Sequence, residues 1–154
     1  MGWAGIWVRA AALVMLAAPA LADPQADVAA ARSFDILGTW RLDCAGPPST
    51  RNGSLIYAVR NGRLVHPRDF GDSRDELKVV SARVRPDGLF EFVIEMPRGR
   101  QQRRFTLMKA EDGRVRVIDN VEVGTDNYSI RDGMLAATGR PSLWQTRCER
   151  DAGS

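Results

Sequence analysis

The side chains able to do chemistry are few in this sequence, and their spacing argues against catalysis. His66 is the only histidine. A multi-histidine metal site is therefore excluded, and acid–base work by a single imidazole needs a positioned partner. Asp69 is the acidic residue three positions on, so an enzymatic reading would rest on the pair His66 and Asp69. Ser73 has no later histidine to act as its base. Asp69-Phe70-Gly71 lacks the glycine-rich loop and catalytic loop that would make such a tripeptide bind a metal-bound phosphate. Cys-x-x-Cys, His-Glu-x-x-His and Gly-x-Ser-x-Gly do not occur. The acidic residues fall mostly in turns, where Asp is favoured for backbone reasons. The reading is non-enzymatic, with no catalytic residue, no cofactor-binding residue and no metal ligand assigned.

Two other groups of residues carry information. Cys44 and Cys148 are the only cysteines. In an exported chain they predict one disulfide, closing a loop of about 100 residues. Arg98-Gly99-Arg100-Gln101-Gln102-Arg103-Arg104 is the densest charge cluster. Arg98, Arg100, Arg103 and Arg104 form either a patch for an anionic partner or a solvated hairpin tip after Pro97. No aromatic residue is interleaved, so nucleic acid is not an expected partner.

The compartment is read from the first 22 residues. Arg9 precedes an unbroken apolar run from Ala10 to Ala18, Pro19 interrupts it, and Ala20-Leu21-Ala22 offers small residues around a cleavage point. This layout predicts a cleaved secretory signal peptide over 1–22. The run is shorter than the roughly 20 residues that span a bilayer, so no membrane span is expected after cleavage. A periplasmic or secreted location follows. Cleavage would leave 132 of the 154 residues, enough for one domain. Without Arg9 the chain has 21 basic and 19 acidic residues, a near balance that points to no particular partner.

These residues must be positioned by strands. Residues 23–35 read as an N-terminal arm, with one or two helical turns over Ala26–Arg32 or a loose tail. Residues 36–154 read as the β domain. Short apolar runs there are separated by Asn61-Gly62, Pro86-Asp87-Gly88, Glu111-Asp112-Gly113 and Asp132-Gly133, all hairpin signals. Such short spacings leave no room for the crossovers that parallel strands require. The expected fold is all-β: a single antiparallel meander of about eight strands closing into a small β-barrel. Closure would remove the exposed edges and bring Cys44, on the first long strand, beside Cys148 on the last.

Alternation names the core. Phe90, Phe92, Ile94 and Met96 share one face, and Val115, Val117, Val121 and Val123 another. Trp40, Phe105 and Trp144 are expected to join them. Trp40, Phe90, Phe92, Phe105 and Trp144 would either line a ligand cavity or simply fill the interior. Asp119 interrupts the valine face, which places it at a bulge, near a barrel mouth, or as an inward polar group in need of a partner.

Ser33-Phe34-Asp35-Ile36-Leu37-Gly38-Thr39-Trp40 resembles the opening strand of lipocalins and their calycin relatives, and Gly124-Thr125-Asp126-Asn127-Tyr128 resembles their Thr-Asp-Tyr turn. The resemblance implies a barrel with Trp40 at its closed end. It also implies an arginine from near the C-terminus, Arg147 or Arg150, lying over that ring. The opening strand is similar as well to that of the small periplasmic inhibitors of secreted metalloproteases. Two functions are therefore expected in turn. The first is an exported non-enzymatic binding protein holding a small apolar ligand in a lipocalin-like barrel. The second is a protein-interaction module, such as a periplasmic protease inhibitor or an envelope accessory factor. A filled interior with an exposed apolar patch would favour the second. Ligand identity and oligomeric state are left open.

Overall fold

The computed structural model describes Met1, residues 23–97 and residues 101–151. The expected export signal, apart from Met1, lies outside the described residues, as do Arg98 and Arg100 of the basic cluster. Among the described residues one helix is followed by ten strands: α1 (Pro24–Phe34), β1 (Gly38–Arg41), β2 (Ser54–Arg60), β3 (Arg63–Asp69), β4 (Arg74–Val84), β5 (Phe90–Glu95), β6 (Gln102–Lys109), β7 (Val115–Glu122), β8 (Tyr128–Arg131), β9 (Met134–Leu135) and β10 (Thr146–Glu149). They form one sheet in the order β10-β1-β2-β3-β4-β5-β6-β7-β8-β9, and every pair in it is antiparallel.

The fold is all-β and meandering as expected, but the strand count is ten rather than eight, and the sheet curls into a half-barrel. The reason lies in its last third. β8 and β9 are four and two residues long and cannot carry a ladder around the barrel. β10 pairs with β1 on one side. On its other side a bridge between Val115 and Gln145, with N–O distances of 3.0 and 2.8 Å, draws the approach to β10 against the start of β7.

Turn chemistry sets the hairpins. Asn61 and Gly62 both have positive φ, 51° and 72°, the conformation of a two-residue turn that matches strand twist. Gly38 has a different role. A Cβ there would collide with the Glu149 carbonyl, so glycine lets β1 and β10 approach.

The N-terminal arm is a three-turn helix docked on the sheet, longer than the expected Ala26–Arg32. Asp23 caps it, with Oδ1 accepting the N–H groups of Gln25 and Ala26 at 3.0 and 3.3 Å, and Pro24 occupies the first turn. It ends at Asp35 in the left-handed conformation, φ 57°. Asp27, Val28, Ala31 and Phe34 are its buried residues, one stripe of the helix. Phe34 extends this stripe into the sheet's aromatics. Ring centroids run Phe34–Phe90 at 5.2 Å, Phe90–Phe92 at 5.7 Å and Phe92–Phe105 at 5.2 Å, and Tyr57 meets Phe92 edge-on at 5.6 Å. Such pairs add about 0.5–1.5 kcal/mol each beyond area burial.

The valine face breaks where Asp119 interrupts it. The β6–β7 register shifts between Thr106 and Leu107: Leu107 lies opposite Val117, but Thr106 lies opposite Asp119. Ile118 is the extra residue, and one extra residue exchanges the two faces of a strand. Val115 and Val117 therefore pack with the core cluster. Val121 is buried apart from that cluster, and Val123 is exposed. Asp119 sits at the bulge and accepts the Asp132 N–H at 3.2 Å.

Candidate functional site

The disulfide joins Cys44, just beyond β1, to Cys148 in β10, with Cα atoms 5.3 Å apart. Trp40 is wholly buried and its Nε1 donates to the Ile36 carbonyl at 2.6 Å. Arg147, not Arg150, lies over the Trp40 ring, 4.7 Å from its centroid. Phe90 and Phe92 are wholly buried and Phe105 packs against them half-buried. Trp40, Phe90 and Phe92 belong to the buried core cluster, and Phe105 packs against it. Trp144 does not join them. It is half-buried on a separate ledge, its ring 5.6 Å from the Arg114 guanidinium and 4.8 Å from that of Arg116.

The described part of the basic cluster is divided by strand alternation. Arg103 donates to Asn120 Oδ1 at 2.7 Å and to Ser129 Oγ at 3.1 Å. Arg104 instead joins Arg83 and Arg85 around Glu91, at 3.9, 2.6 and 4.0 Å. The two arginines do not form one patch.

His66 is a core residue. It is buried, stacked on Tyr57 at 4.5 Å and edge-on to Phe92 at 5.7 Å, with Nδ1 2.8 Å from the Ile56 carbonyl. Burial pushes its pKa down to about 4, against a smaller opposing effect of the Ile56 hydrogen bond. Asp69 serves its own loop. Its carboxylate accepts the Gly71 N–H at 2.8 Å and pairs with Arg74 at 3.0 Å, and these hold it below the usual carboxylate range, the Gly71 N–H foremost. No hydrogen bond or ion pair joins His66 to Asp69. Among the described residues no cluster of three His, Cys, Asp or Glu side chains could hold a metal ion.

What the structure does assemble is an apolar hollow of about 270 Å³ open to solvent. One wall is Leu42, Leu55 and Phe70; the other is Val117, Ile130, Leu135 and Leu143. Thr50, Arg51, Ser142 and Gln145 add polar groups around it. Leu42 and Leu143 are 37% and 63% exposed. The wall residue Phe70 is fixed from two sides. Gly53 leaves room for its ring, which a Cβ there would meet at 2.5 Å, and Arg68 lies over it at 5.6 Å. Arg68 is itself held by both Asp75 carboxylate oxygens, at 2.8 and 2.5 Å. Ser142 anchors the opposite wall by donating to the Val117 carbonyl at 2.5 Å.

None of the residues expected to line a cavity lines this hollow. Nothing in the sequence singles out Leu42 or Leu143. Their convergence depends on how far the sheet curls, which no local pattern encodes.

Compared with protein-family models, curated proteins and solved structures, the chain matches none. Among the described residues no helix is long and apolar enough to cross a membrane.

Proposed function

We propose that this chain is an exported, non-enzymatic protein-interaction module whose apolar hollow receives a hydrophobic side chain of an envelope protein. The observation that carries this reading is the contrast between a filled interior and an apolar hollow at the surface. The wholly buried Trp40, Phe90 and Phe92, packed in the core cluster, support a filled interior. The hollow measures about 270 Å³, below the roughly 300–1,000 Å³ of typical ligand sites. An apolar cavity of about 150 Å³ accepts a benzene-sized ring. One or two side chains therefore fit, and exposed Leu42 and Leu143 would be covered with them. Export is supported by the sequence of residues 1–22 and by the disulfide, a bond of oxidising compartments. The stacking of Arg147 on Trp40 supports the lipocalin-like resemblance of the opening strand.

Photocrosslinking tests the reading. A photoreactive benzoylphenylalanine in place of Leu143, in protein exported by its own cells, is expected to give one discrete adduct with an envelope protein. Leu42→Asp should abolish that adduct. An adduct only a few hundred daltons heavier would instead mean a small apolar ligand in the hollow. Adducts no different from those of a control probe at exposed Arg60 would overturn both.

A further inference from the structure

A second hollow, of about 410 Å³, lies where the first turn of α1 meets β3 and β4. Leu64, Val65, Val79, Val80 and Pro24 give it apolar walls. Asp27 is in the same lining, 8% exposed. One of its oxygens, Oδ1, accepts the Ala82 N–H at 2.6 Å. That N–H is presented where the β4–β5 register shifts between Val79 and Ser81, leaving Val80 as the extra residue. The other oxygen, Oδ2, has no hydrogen bond among the described residues. Burial raises the Asp27 carboxyl above its ordinary value, opposed by the Ala82 N–H, and the Asp23 carboxylate raises it further. A carboxylate half-satisfied in this way gains from a charged donor brought to it.

The charged groups around it are largely committed elsewhere. Lys78 pairs with Glu95 at 3.6 Å, and Glu76 pairs with Arg60. Arg63 is the remaining charged lining residue and is exposed. A guanidinium binds best through both carboxylate oxygens at once, and Oδ1 already shares its acceptor capacity with the Ala82 N–H. An ammonium is a compact point charge that needs one.

We infer that this hollow is a binding site for a small aliphatic primary amine, its ammonium on Asp27 Oδ2 and its hydrocarbon chain against Leu64, Val65, Val79 and Val80. The site is separate from the hollow assigned to a protein partner, so either can fail alone.

Hexylammonium chloride is the probe, titrated into the purified protein and followed by calorimetry and by the NMR shift of the Ala82 amide. Saturable binding that moves this amide is expected, with hexanol, the same chain without the charge, at least tenfold weaker. Asp27→Asn keeps an acceptor for Ala82 and should weaken hexylammonium at least tenfold. If that variant does not fold, Val80→Phe, which narrows the hollow and leaves the carboxylate intact, should give the same loss. No binding, equal binding of hexanol, preference for hexanoate, or undiminished binding to the variant each overturns the assignment.

Discussion

The Arg147 guanidinium lies 4.7 Å from the centroid of the Trp40 ring and, in the same pose, pairs with the Asp35 carboxylate at 2.8 Å. One side chain of β10 thus holds down the buried tryptophan of β1 and the C-terminal cap of α1. It also donates to the Asp35 carbonyl, where Lys109 joins it.

Arg147→Ala should therefore lower the unfolding free energy by about 2 kcal/mol, combining a desolvated cation–π contact with charged hydrogen bonds. Arg147→Lys keeps the charge but not the flat stack, and should recover only part of the loss. Asp35→Asn should cost less than either, about 0.5–1 kcal/mol, because Asp35 is largely exposed and its pairing is screened. Urea unfolding of the three variants measures the order. Asp35 is held below its ordinary value chiefly by the Arg147 hydrogen bond. Its contribution is present above the unfolded carboxylate value and falls away as pH drops through the lowered one.

His66 should stay neutral down to pH 4. Its pKa falls from 6.5 to about 4 on burial. Between those values the unfolded chain binds a proton that the folded one refuses. Stability is therefore complete above pH 6.5 and declines as pH falls toward 4, by on the order of 3 kcal/mol. Chemical-shift titration of the imidazole checks the first statement. His66→Phe, an apolar ring of similar shape, should remove this part of the acid sensitivity. An imidazole that titrates near 6.5 in the folded protein would refute both.

Reduction of the Cys44–Cys148 bridge should cost more than any single contact above. The cysteines are separated by 104 positions, and a loop of that size is worth roughly 4–5 kcal/mol in the chain-entropy model. Urea midpoints with and without dithiothreitol, and for Cys44→Ser with Cys148→Ser, should fall together. A midpoint unmoved by reduction would show that the ends hold without the bridge.

What could be read from the sequence follows from how local each signal is. Asn61-Gly62 and Asp132-Gly133 mark their turns because the backbone conformation there is a property of those two residues. The Phe90-Phe92-Ile94 face is legible because β5 pairs with β6 without a register shift. Val121 was assigned to the wrong face because Asp119 marks an interruption without showing that an extra residue, Ile118, exchanges the two faces beyond it. Trp144 was placed in the core through its position on the last strand, and Arg114 and Arg116 hold it elsewhere. The two hollows were illegible for a different reason. Asp27 reads as an ordinary first-turn carboxylate until α1 docks on β4. Leu42 and Leu143, 101 positions apart in the numbering, acquire a common purpose only after β10 returns to β1.

The pairing of β1 with β10 also sets a timetable. Thr39 meets Glu149 across that ladder, whereas Arg60 meets Arg63 across the first hairpin. Tight hairpins form in about 1–10 μs, while contacts between distant residues wait on the slower closure of a long loop. β1 is near the beginning of the sheet's sequence, yet its outer edge is among the last to be covered. Until β10 arrives, Cys44 is a single thiol without its mate, open to any oxidant or thiol carrier that reaches it first.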